Sequence, residues 1–474
     1  MRLTASALPS TLLAALLLGG CAVPLPAPPP TQPPIQWSAP RPHAGSPAEL
    51  QRWWQQFDDP LLAELVSAAQ QQNPSLAQAA ARIAEARANA AMAGAAAWPK
   101  LEARGSAVRS STQLPPMTGT RTQIGAELDA SWEIDLFGSA RLGAAAAQAR
   151  ADGSALQWHE ARVSLAAEVA STYAGLRGCE ALSDIYEQDL SSRTQTAELT
   201  RQKIDAGFEA PANGALARAG AAEAAGRLAA QRAECQVLIK QLVALTARDE
   251  AALVAELAPR RAQLPQPAAF DVAAVPAAVL SQRPDLAAAE RAVAAASADV
   301  GVAQADRYPR ISLSASIGRA GVWFAGQQLD ARSWSIGPGL VLPLFDAGRR
   351  AAAVDAARAR FDSAVAAWRD RTLQAVREVE QALVRLDAAD QREQEARQAA
   401  QGYAEFLAAA QMQWQVGTGS LLDLEQARRN ALASNATVLQ TRSDRLTAWL
   451  ALYKAVGGGW RPGDAAPPDP LPSN

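Results

Sequence analysis

The chain has 474 residues, and its 45 Lys plus Arg nearly balance 47 Asp plus Glu, with the two signs interspersed along the whole length. No basic tract marks a nucleic-acid surface, so no nucleic-acid partner is expected. Two histidines (His43, His159) and three cysteines (Cys21, Cys179, Cys235) lie too far apart for any metal-ligand spacing, which argues against zinc fingers, metallohydrolase helices and iron–sulfur sites. No metal site and no cofactor are expected.

Residues 1–20 read as a lipoprotein signal peptide. Arg2 gives a positive start, and the leucines from Leu12 to Leu18 with Ala14 and Ala15 form an apolar run too short to span a membrane. The run closes in Leu18-Gly19-Gly20-Cys21, which resembles the bacterial lipobox. That resemblance implies that the Cys21 thiol is alkylated with diacylglycerol, the alternative being a plain structural thiol. Ala22 in place of an aspartate implies an outer-membrane destination, and acyl chains at about 0.8 kcal/mol per buried methylene make a stable anchor. Residues 21–47 are expected to form a lipidated N-terminus and a proline-rich tether, and residues 461–474 a proline-rich tail.

Between these ends lies a duplicated half-chain with a period of about 210 residues. Trp98-Pro99-Lys100 aligns with Tyr308-Pro309-Arg310, Asp135-Leu136-Phe137 with Pro343-Leu344-Phe345, Ala206-Gly207 with Val416-Gly417, and Ala217-Arg218 with Ala427-Arg428. The halves, 48–260 and 261–460, share one order: an alanine-rich helix, two strands, a very long helix, a tight turn and a returning helix.

The strands alternate with a period of two. From Glu127 to Leu136 polar and apolar residues alternate without exception; Ile311, Leu313, Ala315 and Ile317 alternate with Arg310 and serines; Trp334, Ile336, Leu340, Leu342 and Leu344 alternate mostly with serine and glycine; residues 100–107 do so more weakly. The pattern suits a transmembrane barrel with lipid outside and water inside, and equally a soluble sheet with one solvated face. Four strands cannot close a barrel, so a barrel requires several copies, and three copies give twelve strands.

Proline-free stretches at 139–206 and 347–416 each predict a helix of about 100 Å. The stripes Val376, Val379, Leu383, Leu386 and Leu228, Cys235, Leu238, Leu242, Leu245 step at coiled-coil intervals.

This ordering resembles the TolC-like outer-membrane efflux family, in its lipoprotein branch serving resistance-nodulation-division (RND) tripartite pumps. The resemblance covers residues 21 to about 459. Its motifs are the lipobox; Trp54 with Phe57-Asp58-Asp59-Pro60-Leu61; Asn73 with Ala79-Ala80-Ala81-Arg82-Ile83 and Ala86-Arg87; Gln282-Arg283-Pro284-Asp285-Leu286 with Ala288-Ala289-Glu290; and Gly417 with Leu421-Leu422-Asp423-Leu424. It implies a mainly α fold with a transmembrane β-barrel: a homotrimer whose shared twelve-stranded barrel continues into a long coiled-coil tunnel across the periplasm. It also implies outer-membrane lipid around the barrel, a periplasmic adaptor protein at the tip and an inner-membrane RND-type transporter as the energy source.

The hairpin tips are expected at Gly207-Phe208-Glu209 and Gly417-Thr418-Gly419, closing the tunnel as an iris. Family members commonly carry two acids one helical turn apart after the second tip. Here Asp423 fits the first position, Gln426 replaces the second, and Glu425 falls on another face. Gating is therefore expected from Asp423 with Leu421, Leu422 and Leu424, while Ser420 and Asp423 also read as a capping box. Cys179 and Cys235 lie equally far from Gly207 on the two helices of the hairpin, so they should face each other as a disulfide or, alternatively, as two buried thiols. If Leu128, Trp132 and Ile134 meet lipid, then Glu127, Asp129, Glu133 and Asp135 face the pore or its rim and favour cations, unless Arg310 and Lys100 neutralise them.

No enzyme is expected. His159 lies within the long helix without a nucleophile motif and reads as a packed or solvated histidine, and no glycine-rich phosphate loop follows a strand. Three functions stay open: the exit duct of a small-molecule efflux pump, the same duct in type I secretion or metal-ion export, and a lipid-anchored coiled-coil protein without a pore.

Overall fold

The computed structural model describes residues 23–27, 36–39, 50–114, 117–267, 269, 276–324 and 327–464. Cys21, most of the tether and the tail beyond Asp464 lie outside the described residues. After a 3-10 turn at Leu50–Gln56 come α1 (Pro60–Gln72), α2 (Pro74–Ala95), β1 (Lys100–Leu114), β2 (Met117–Ile134), α3 (Ser139–Asp205) and α4 (Pro211–Thr246). Short helices α5 (Glu250–Leu257) and α6 (Pro276–Leu280) lead to α7 (Pro284–Ala305), β3 (Arg310–Phe324), β4 (Gln327–Val341), α8 (Arg349–Gln415) and α9 (Leu421–Ala455).

Helices α3 and α8 each run 67 residues. The second begins two residues later than the proline-free stretch predicts, because Ala347 and Gly348 take left-handed backbone, φ 54° and 85°, which no right-handed helix can include. Each helix is started by an aspartate behind it. Asp135 accepts hydrogen bonds from the amides of Ala140 (3.2 Å) and Arg141 (2.9 Å), and Asp346 accepts from those of Gly348 (3.1 Å) and Arg350 (3.3 Å).

The four strands form one antiparallel meander in the order β1-β2-β3-β4, with register Lys100↔Ser131, Leu128↔Ile317 and Ile317↔Trp334. β2 and β3 join the two halves of the chain. Every strand extends beyond the alternating stretch seen in sequence, toward the β1–β2 and β3–β4 turns. There β1, β2 and β4 carry Thr, Gln, Ser and Arg on both faces while β3 runs through Gly, Ala, Val, Trp and Phe, so no polar/apolar alternation marks the strands.

The helices pack on an aromatic cluster of Trp53, Trp54, Phe57 and Tyr453, with Trp53 and Tyr453 stacked at 5.1 Å and Trp53 and Trp54 tilted at 5.0 Å. The motif residues brace this region. Asp59 caps α1 through Leu61 N and accepts the Tyr173 hydroxyl at 2.5 Å; burial, with Asp59, pushes that hydroxyl above the usual phenol range. Asn73 caps α2 through Ser75 N and donates to the Leu245 carbonyl at 2.9 Å. Arg283 grips Asp285, reaches Glu378 at 2.8 Å and donates to the Ala455 carbonyl at 2.8 Å. A side chain at Gly457, φ 91°, would meet the Gln282 carbonyl at 2.2 Å, so this crossing requires glycine.

The described parts of the proline-rich segment are strapped to the body. Glu380 accepts the amides of Ser38 (2.7 Å) and Ala39 (2.8 Å), and Ser297 donates to the Pro26 carbonyl at 2.7 Å. Trp37 is buried.

Cys179 on α3 and Cys235 on α4 are joined by a disulfide, with Cα atoms 5.6 Å apart. The closed loop spans 56 residues of sequence separation, and by the chain-entropy relation such a crosslink contributes about 4 kcal/mol. Replacing both cysteines by alanine is expected to lower the thermal midpoint and to abolish the mobility difference between reduced and unreduced gels. An unchanged midpoint would show that the bridge adds no stability.

His159 is buried edge-on to Trp158 at 5.0 Å. Burial, then Arg162, pulls its imidazole down to about 4. The unfolded chain titrates near 6.5 and therefore binds this proton at a pH where the folded chain does not, so stability falls as pH drops from 7 toward 4, by about 1 kcal/mol per unit. His159→Gln is expected to flatten the pH dependence of the thermal midpoint over that window; a slope equal to wild type would assign the acid sensitivity elsewhere.

Candidate functional site

The tip of the molecule is built by two Schellman turns of the same geometry. Gly207 N donates to Ile204 O and Phe208 N to Lys203 O, at 2.9 and 2.8 Å; Gly417 N donates to Trp414 O and Thr418 N to Gln413 O, at 3.2 and 2.9 Å. Gly207 and Gly417 supply the left-handed residue, φ 81° and 79°. The turns differ in how the next helix starts. Glu209 is held by the Asn213 side chain at 2.6 Å ahead of Pro211, whereas Ser420 caps α9 by accepting Asp423 N (3.1 Å) and donating to the Asp423 carboxylate (2.5 Å). Phe208 projects from the first tip at 84% exposure.

The candidate gate residues divide. Leu421 and Leu424 are buried, packing the root of α9 inside the protomer, while Leu422 is 61% exposed and Asp423 is exposed beside it. Only Leu422 and Asp423 therefore present themselves to a neighbouring copy or to a pore. The two tips approach one another through Lys203, whose ammonium lies 4.6 Å from the centre of the Trp414 ring.

Behind the tip sits a buried charge cluster. Asp189 accepts Arg193 through both oxygens at 3.0 Å, Arg193 also donates to Glu425 at 3.0 Å, Glu425 accepts Arg428 at 2.5 Å, and Arg428 donates to Thr196 Oγ1 at 3.0 Å. All five side chains are buried. Burial lowers the pKa of the Arg428 guanidinium, and Glu425 opposes that shift. Two acids and two bases balance, and the cluster ties α3 to α9. Sequence reasoning set Glu425 aside as off the gate face and did not see this cluster. The only sequence signal was the pair spacing Asp189/Arg193 and Glu425/Arg428, which cannot say that the pairs meet.

In the barrel strands Glu127, Asp129 and Glu133 share one face of the sheet. Asp129 lies 3.5 Å from Arg104, which also binds Glu102 at 2.9 Å. Arg104 is thus the neutralising cation on this face, while Arg310 pairs with Asp306 at 2.6 Å. Asp135 is held differently from the other three acids. It stands past the end of β2, and its carboxylate is taken up by the α3 amides and the Arg141 side chain. The polar/apolar alternation runs on by one step into the helix cap, which is why the sequence groups it with the strand.

The outer membrane efflux protein family model matches this chain twice, at residues 65–248 and 275–458. The toluene efflux pump outer membrane protein TtgC of Pseudomonas putida is 30% identical over 95% of both chains. The pyoverdine export outer membrane protein OpmQ of Pseudomonas putida is 30% identical over 94% of this chain and 96% of its own length. The solved structure of the outer-membrane channel OprN superposes with a TM-score of 0.80 at 29% identity, covering 92% of this chain and all of that one. These relationships remove the reading as a coiled-coil protein without a pore. The fold is that of these channels, mainly helical, with four strands per protomer in a twelve-stranded barrel shared by three copies and a helical tunnel below it. The chain belongs to the outer membrane efflux protein family and is an outer-membrane channel component of an efflux pump.

Proposed function

We propose that this channel is a passive exit duct for small molecules, anchored to the outer membrane through a lipid on Cys21, spanning the periplasm with α3, α4, α8 and α9, and closed at their tips by a helical iris. The observation that carries the iris is the union of the two hairpins near the tip: the Lys203–Trp414 contact and the buried cluster of Asp189, Arg193, Glu425 and Arg428. The exposed Phe208 and Leu422 at the tip suit docking by the hairpin of a periplasmic adaptor, which in turn engages an RND-type transporter in the inner membrane. Energy enters there, and the duct performs no chemistry of its own. One relative is named for toluene and another for pyoverdine; two such different molecules suit a wall that conducts what the partner pump selects.

Three experiments test this reading. In mild detergent the protein from isolated outer membranes is expected at three times the protomer mass, and in planar bilayers it is expected to open conducting pores. A monomer without conductance would sink the duct. Glu425→Gln removes the carboxylate shared by Arg193 and Arg428, and breaking a buried pair typically costs about 3 kcal/mol. The variant is expected to show a lower thermal midpoint together with larger or more frequent openings. Wild-type values for both would mean that the cluster does not hold the tip closed.

A further inference from the structure

The sheet register assigns residues to faces, since directly opposed residues of antiparallel strands share a side. On one face Leu128, Ile317 and Trp334 lie side by side, as do Ala130, Ala315 and Ile336. Trp334, Ile336 and Leu340 are largely exposed in the protomer, and along β4 from Trp334 to Leu340 this apolar face rises about 15 Å at the usual strand tilt, a large part of the height of a membrane belt.

Toward the hairpin turns the large apolar side chains of this face thin out to Ile124 and Trp323 among the described residues. The next position beyond Ile317 and Trp334 on this face is the opposed pair Arg319↔Arg332. Arg109 occupies the repeat-equivalent place on β1, on the same face and at the same distance from its hairpin turn. Like charges directly across a ladder destabilise it unless an anion compensates. A single carboxylate serves here: Asp330 accepts Arg319 at 3.2 Å and also Gln328 at 3.1 Å. Among the described residues Arg332 and Arg109 make no ion pair, and all three arginines are exposed.

We propose that Arg319 and Arg332, with Arg109 at the same level, bind the phosphate groups of outer-leaflet lipid, specifically the phosphorylated lipid A headgroup of lipopolysaccharide. The inference rests on the reading that the apolar face meets lipid. It follows from three features together: guanidinium forks match phosphate oxygens bidentately, the arginines stand one step past the apolar belt where headgroups begin, and the local charge is positive in excess.

The test is native mass spectrometry of the detergent-solubilised trimer titrated with bisphosphorylated lipid A, monophosphorylated lipid A and inorganic phosphate. Wild type is expected to hold bisphosphorylated lipid A about tenfold more tightly than Arg319→Gln/Arg332→Gln, with the monophosphorylated form between, and Arg319→Lys/Arg332→Lys to recover part of the loss. Inorganic phosphate is expected not to displace the lipid. Equal binding by wild type and the Gln variant overturns the site, and displacement by inorganic phosphate overturns the lipid as its ligand. Should the double variant fail to assemble, Arg332→Gln alone carries the same comparison. Bilayer conductance on the same samples separates the two levels: wild type and variant that both conduct yet bind lipid A equally remove the site alone, whereas wild type without conductance removes the membrane-barrel reading and the proposal with it.

Discussion

In hydrocarbon an unpaired peptide group costs several kcal/mol, and β1 and β4 each present a free edge of 15 residues. The protomer cannot satisfy these edges by itself, because four strands are too few to curl into a closed barrel whose interior is filled. Closure therefore falls to other copies of the chain, and once the barrel is shared the helices inherit its symmetry. They descend from the strand ends as hairpins that must pack sideways against copies of themselves. The length of α3 and α8 follows from that arrangement, and their buried residues are strung along almost the whole course, from Ala146 to Thr200 and from Val354 to Ala410.

The duplication preserves backbone geometry more faithfully than side-chain chemistry. Both long helices start behind a left-handed glycine, Gly138 at φ 84° and Gly348 at φ 85°, and both end in a left-handed glycine at the tip. Where α9 ends at Gly457, the corresponding place after α4 is Ala247, in the same left-handed region at φ 53°. The glycine is forced in one half by the Gln282 carbonyl; the other half keeps the crossing, with Asn73 donating to the Leu245 carbonyl where Arg283 donates to that of Ala455, and there alanine accepts the strain that the turn imposes. The turn geometry is what the two halves share, and each fills it with what its neighbours permit.

Much of this was legible in the sequence because it depends on periodicity. The period-two runs located all four strands where one face is greasy and the other wet, and the proline-free stretches located both long helices to within a few residues. What escaped notice depends on contacts between distant segments. Arg193 and Glu425 lie 232 residues apart, and neither carries a mark saying that it is buried. The upper strands escaped because polar side chains on both faces of β1, β2 and β4, and apolar ones at consecutive positions Val322 to Phe324 of β3, erase alternation. The clamp of Glu380 on the Ser38 and Ala39 amides escaped because a carboxylate bound to backbone leaves no side-chain pattern in the segment it holds. The capping role of Asp135 escaped because a strand and the cap that follows it continue one alternation.

The two hairpins are held by different kinds of bond, and the difference bears on an iris. The disulfide joins α3 to α4 within one hairpin, so it fixes a pair of helices that can move as a unit. The link between hairpins is ionic: Arg193 and Thr196 on α3 meet Glu425 and Arg428 on α9. A covalent bond at that place would lock the tunnel at one width. A buried ionic cluster behaves otherwise, since its members lose little when water or a partner's polar groups replace one another around them, yet cost several kcal/mol if left dry and unpaired. Such a cluster resists chance opening and still yields to a docking partner that admits solvent or supplies substitute contacts, which is the property a closed but openable tip requires.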